Sequence, residues 1–197
     1  MSIPAMAQVN SFLAPLKGRV AVLLLHDRET KMTLSRFLMR CAYIRAADTI
    51  ILDVDAFYCT NIDLLTEKMN DNGRFLTKTE IVLLPEKRFK VSYLTPLVSS
   101  KTQILILDDL NSLYSLASLS RKSHELSVFM KLLSHNARMN SSWVIGTAYR
   151  TEGTAASTNG RSLARLGDAL VDTELRGGSL LFKASFKGYW SNDEFSL

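Results

Sequence analysis

The 197-residue chain is poor in the features that usually narrow a protein's class at once. Its two cysteines, Cys41 and Cys59, have the spacing of neither a zinc-ligand pair nor a disulfide framework, so reduced thiols and no metal site are expected. With only four prolines, and 47% hydrophobic against 22% charged residues, it is neither collagen-like nor disordered. Long apolar runs are missing too. The strongest near the N-terminus, residues 20–25, falls far short of the ~20 residues that cross a bilayer, and no basic signal segment precedes it. No membrane association is expected, and the reading is a cytoplasmic or nucleoid-associated protein, or a nuclear one in a eukaryote.

What is present fits one domain spanning 1–197, with 1–16 as an N-terminal extension and 149–165 as a flexible loop. Continuous apolar runs at 19–26 (RVAVLLLH), 49–54 (TIILDV), 80–84 (EIVLL), 103–107 (QILIL) and 143–147 (WVIGT) read as strands buried on both faces. Between them, helical spacing is plain from Met32, where Leu34, Phe37, Leu38, Cys41 and Ala42 recur. It is plainest over 123–139, where Leu126, Phe129, Met130, Leu133 and Ala137 form one stripe. Alternating strands and helices predict an α/β fold, a mostly parallel central sheet flanked by helices. Residues 169–175 and 179–186, joined at Gly177–Gly178, predict a C-terminal β-hairpin.

The net charge is +5, from 24 Lys and Arg against 19 Asp and Glu. The excess is local. Residues 121–165 hold Arg121, Lys122, Lys131, Arg138, Arg150, Arg161 and Arg165 against Glu125 and Glu152, and residues 28–45 form a second basic block. In that second block, Arg36, Arg40 and Arg45 read as a solvated helix face. In the first, Arg121 and Lys122 precede the long helix, while Arg150, Arg161 and Arg165 bracket a Gly-, Ser- and Thr-rich stretch. These five are candidates for neutralising DNA phosphates in a salt-sensitive, sequence-independent mode.

Ligands of a doubly wound sheet bind at the carboxyl ends of its strands. After the first strand comes HDRETKMTL, where a phosphate-binding loop G-x-x-x-x-G-K-[ST] would sit. Lys31 stands where the phosphate lysine would, but the glycines are absent, Met32 occupies the Ser/Thr position, and Thr33 is next in line. The second strand ends in ILDVDAF and the fourth in ILILDDL. Asp53, Asp55 and Asp108 therefore collect at strand ends, either around magnesium or in salt bridges to Lys31 or Arg28.

With these segments in this order, residues 17–187 resemble the ATPase core of the RecA/RadA recombinase family. The resemblance implies a RecA-like core, with Asp55 in the place of the catalytic glutamate and Asp108 as the magnesium-water acid of a Walker B strand. It makes Lys31, Asp55 and Asp108 the residual catalytic candidates, and Lys31, Thr33 and Asp108 the nucleotide contacts. It also makes NSLYSLASLSRKSHE the first DNA-binding loop and YRTEGTAASTNGR the second. The glutamine expected after the fifth strand is replaced around Ala148 and Tyr149, and 16 residues leave no room for N-terminal DNA-binding and polymerisation segments.

Phosphoryl transfer depends almost wholly on positioned phosphate, metal and water, so these departures together predict little or no ATP hydrolysis. ATP and Mg2+ are held weakly at most, and no cofactor is required. The expected protein is a minimal recombinase paralogue that binds single- or double-stranded DNA and modulates homologous recombination and repair. Its partners would be a RecA/RadA-family recombinase or another paralogue, in a homo- or hetero-oligomer. The alternatives are an active ATPase with an irregular P-loop, and an interaction or signalling protein of the superfamily without a DNA role.

Overall fold

The computed structural model describes residues 3–67, 69, 77–84, 90–99, 102–150, 167–186 and 189–196. Helix α1 (Ile3–Leu13) leads into strand β1 (Val20–Leu25) and helix α2 (Arg28–Arg45). Strand β2 (Thr49–Asp53), helix α3 (Phe57–Thr66) and strand β3 (Thr79–Leu83) follow. A short helix α4 (Thr95–Ser99) precedes strand β4 (Ile104–Asp108), helix α5 (Leu110–Leu119), helix α6 (Ser123–Asn140) and strand β5 (Trp143–Tyr149). Strands β6 (Ala169–Arg176), β7 (Ser179–Phe186) and β8 (Tyr189–Ser196) end the chain. Among the described residues, no helix is long and apolar enough to cross a membrane.

Among the described residues, eight strands form one sheet in the order β3-β2-β4-β5-β1-β6-β7-β8. Neighbours from β3 to β6 run parallel, and β7 and β8 add antiparallel strands at one edge. The alternation of side chains along each strand supplies two cores. On one face Ala21, Leu23 and Leu25 of β1 join Ile51 and Ile106 under Phe12 of α1, Leu34 and Leu38 of α2 and Tyr58 of α3. On the other, Val20 and Val22 join Leu52, Leu107 and Val144 beneath Leu97 of α4, Leu113 of α5 and Phe129 and Leu133 of α6. The expected mostly parallel sheet with flanking helices and a terminal hairpin is what forms. Gly177 and Gly178 both take the positive φ that the tight β6–β7 turn requires.

Four segments differ from their sequence reading. Residues 1–16, expected as an extension, include α1, which buries Val9, Phe12 and Leu13 in the first core. Residues 111–125, expected as a DNA-binding loop, are mostly helix. Asp109 caps α5 by accepting from the Ser112 amide at 2.6 Å, and Leu110, Leu113 and Ala117 recur at helical spacing on its buried side. The serines around them had disguised that stripe. Strand β5 continues to Tyr149, two residues further than its apolar run, and β8 extends the expected hairpin to three strands. The expected flexible loop, from 151 onward, lies outside the described residues.

Candidate functional site

The carboxyl ends of β1, β2, β4 and β5 lie side by side, and each contributes to one cluster. Only His26 and Asp27 separate β1 from α2. Asp27 adopts extended backbone as the helix N-cap, and its carboxylate accepts from the Thr30 amide at 2.6 Å. Hydrogen bonds from Thr30 hold the Asp27 carboxyl below its ordinary pKa, so an anion of the chain's own sits at the positive end of α2.

One turn into α2, Lys31 points inward and is 1% exposed. Its Nζ lies 2.8 Å from Asp55 Oδ2, 2.8 Å from Asp108 Oδ2 and 3.9 Å from Asp109 Oδ2. The Phe57 ring lies 4.4 Å from the ammonium and the Tyr149 ring 5.7 Å, completing its surroundings with aromatic faces. Burial alone would pull the lysine pKa down, but Asp108 and Asp55 outweigh it and hold Lys31 above its usual value. Lys31 is therefore not a solvated lysine. Of the pairings open to the strand-end acids, that of Asp55 and Asp108 with Lys31 is the one formed.

Asp108 is fully buried, and burial pushes its carboxyl up to about 6 against the opposing pull of Lys31 and of the Thr147 hydroxyl, which donates to it. Asp53 accepts from the Cys59 amide at 2.8 Å through one oxygen, and its other oxygen is buried without a hydrogen-bond partner among the described residues. Oxygens of Asp53, Asp55 and Asp108 come within 4.8 Å of one another, the spread a divalent cation would need. Lys31 already neutralises two of those three. Thr33 is not part of this cluster: two helical positions on from Lys31, it faces a groove lined by Val9, Phe37, Arg40 and Leu180, on the α1 side of α2.

The parts of a nucleoside triphosphate site do not fit this arrangement. Phosphate oxygens need free backbone N–H groups and a free ammonium. Here the turn before α2 is two residues long and without glycine, the Thr30 amide is bonded to Asp27, and Lys31 is held by two carboxylates.

Next to the cluster, Asn111 of α5 clamps the end of β5 from both sides. Its Oδ1 accepts from the Tyr149 amide at 2.7 Å, and its Nδ2 donates to the Tyr149 carbonyl at 3.5 Å. Gly146 of β5 lets α5 come this close, because a Cβ there would meet Leu110 Cδ1 at 2.5 Å. Arg150 follows directly. Its guanidinium lies 3.1 Å from Asp172 Oδ2, and His26 Nε2 lies 2.9 Å from the other oxygen of that carboxylate.

The other basic candidates are placed unevenly. Lys122 pairs with Glu125 at 3.1 Å, and Arg121 sits in the α5–α6 connection with a positive φ. Because α6 returns to the amino end of β5, that connection and Arg150 share the carboxyl side of the sheet. Arg161 and Arg165 lie outside the described residues. Arg138, counted in the same basic block, serves the fold: with Ser134 and the Val20 amide it holds Asp168, fixing the start of β6 to α6 and β1.

No family model matches the sequence, and no curated protein matches it either. Among solved structures the chain is similar to the crystal structure of the RadB recombinase, with a TM-score of 0.67 and 12% identity over 95% of this chain and 91% of that one. The fold is RecA-like. At that identity the likeness is one of architecture, and the chemistry rests on the residues described above. Their association is legible only in three dimensions: Asp27, Asn111 and Asp172 form no motif with Lys31 or Arg150. Asp27 alone carried a local signal, an Asp one residue before a helix.

Proposed function

We propose that this protein is a RecA-like paralogue that does not hydrolyse ATP, binds DNA, and acts beside a RecA/RadA-family recombinase or another paralogue in homologous recombination and repair. The observation that carries the first part is the engagement of Lys31 by Asp55 and Asp108 while the Asp27 carboxylate caps α2. A nucleotide would have to break those contacts before making its own. No cofactor is required in this reading, because the cation and anion that a nucleotide–magnesium complex would supply are already built into the chain.

The RecA-like architecture supports the recombination role. The cations Arg121, Lys122 and Arg150 on the carboxyl side of the sheet support DNA binding, and Arg161 and Arg165, which lie outside the described residues, complete the proposed set of contacts. Their exposed partners, Asp172 and Glu125, are carboxylates that a DNA phosphate can replace. Binding is then sequence-independent and electrostatic, and the protein works as a homo- or hetero-oligomer near DNA.

The experiment is a salt titration of binding to fluorescent single-stranded and duplex DNA, with and without millimolar ATP and Mg2+. Affinity is expected to fall linearly on a log–log plot. Arg150→Ala with Arg161→Ala should shallow the slope by about 0.7 for each lost contact on single strands, and nucleotide should leave the curve unmoved. Absence of binding at low salt removes the DNA role. Thermal stabilisation by ATP–Mg2+ removes the claim that the phosphate site is closed.

A further inference from the structure

Helix α6 is apolar on two opposite faces. Leu126, Phe129, Met130, Leu133 and Ala137 are buried in the core. Val128, Leu132 and Met139, spaced four and seven residues apart, align on the far side and are 42%, 50% and 71% exposed. Single exposed apolar residues are ordinary on any surface, but aligned ones are not. Of the eight large apolar side chains most exposed among the described residues, three lie on this stripe, and a fourth, Leu119 at 84%, lies at the end of α5 that leads into it.

Among the described residues, the charges around the stripe are mostly basic. Helical geometry puts Lys131 along one border, beside the imidazoles of His124 and His135, with Arg121 and Lys122 at the N-terminal end of the stripe. The acid on that surface, Glu125, is paired with Lys122 at 3.1 Å. A second copy of this chain docking there would set the same basic border against itself. From Val128 to Met139 the stripe is also only about 16 Å long at 1.5 Å per residue, one helix's width of contact and not the ~800 Å² per partner of a stable dimer.

We propose that the outer face of α6 is a docking surface for an amphipathic helix of a partner protein, with apolar residues at i, i+3 or i+4 and i+7 and acidic residues on its flanks. The apolar residues cover Val128, Leu132 and Met139, and the acids pair with Lys131 and Arg121. The apolar stripe faces away from the core that α6 shares with the sheet; of the proposed contacts only Arg121 is shared with the DNA reading above, whereas Lys131, Leu132 and Met139, on which the test rests, are not.

The test uses the full chain against a displayed library of helical peptides with fixed apolar positions and randomised flanks. Selected peptides are expected to be enriched in Asp and Glu. Leu132→Ser with Met139→Ser should cost at least about ten-fold in affinity, with Tm lowered by only a few degrees because both side chains are half or more exposed. Lys131→Glu should shift selection toward neutral or basic flanks. The proposal is overturned by selected flanks without acidic enrichment, or by affinity indifferent to the serine pair. Sedimentation showing a dimer that the same pair dissociates would also overturn it, by making a second copy the occupant.

Discussion

The carboxyl edge of the sheet carries two groups of ion pairs with almost the same geometry and different physical weight. Lys31 lies 2.8 Å from Asp55 and from Asp108, and Arg150 lies 3.1 Å from Asp172. The lysine is 1% exposed, whereas the Arg150 side chain is 54% exposed. A buried cation has no water to return to, so its carboxylates are obligatory, while an exposed pair is worth about 0–1 kcal/mol and gives way readily to a phosphate. The same contact distance thus holds Lys31 inside the fold and leaves Arg150 near solvent, so on the proposed reading the first pair is structural and the second is open to exchange.

Removing the lysine should break that contrast most visibly. Lys31→Met leaves Asp53, Asp55 and Asp108 together without their cation, and loss of one partner from a buried pair costs about 3–5 kcal/mol, or roughly 10 °C in Tm for a chain of this size. Adding Asp108→Asn should return part of the loss, since contacting residues are not additive. Thermal denaturation of the two single variants and the double variant measures the coupling. If Lys31→Met melts with the parent, the cluster is not what holds these strand ends together.

Acidity gives the next largest effect. Asp108 has a pKa of about 6 in the folded protein against an ordinary carboxylate value near 3.8, so the folded state binds its proton more tightly than the unfolded chain. The stabilisation from Asp108 is complete below 3.8 and is lost as pH rises through 6. Between these values stability should rise on acidification, by at most about 3 kcal/mol for the two-unit shift. Asp27 and Asp168, held below their ordinary values, work oppositely, and their contribution disappears only below that window. Urea denaturation across pH 4–7 should show the rise in the parent, and Asp108→Asn should flatten it.

How far the sequence disclosed this contrast follows from the reach of each signal. The strands were legible because short unbroken apolar runs such as VAVLLL and ILILD have no polar face to turn toward water and so must be covered on both sides. Helix α6 was legible from its repeating stripe. The missing glycines around Lys31 were visible too, but not where the lysine goes instead, because Asp55 and Asp108 lie 24 and 77 residues away and only the parallel pairing of β2 with β4 brings them together. Helix α5 was hidden by serines that resemble loop composition. The partner of Arg150 was hidden because Asp172 reads as an ordinary outward residue of an alternating strand. Local pattern thus announces elements, whereas ion-pair assignment depends on register.

Asp172 offers the smallest and sharpest test of the exposed side of the comparison. Its carboxylate touches both His26 and Arg150 near solvent, so under the proposed function it would compete with a DNA phosphate for the arginine. Asp172→Asn keeps the size of the side chain and removes that competition. Stability should change by no more than about 0.5 kcal/mol, as for surface substitutions generally. Affinity for single-stranded DNA should increase by up to about five-fold, the equivalent of the ~1 kcal/mol ceiling for an exposed pair. The gain should vanish in the Arg150→Ala background, because the charge being released is then gone. A gain that persists there would place the released group at His26, and a Tm loss of several degrees would mean that the Arg150–Asp172 pair belongs with the buried cluster after all.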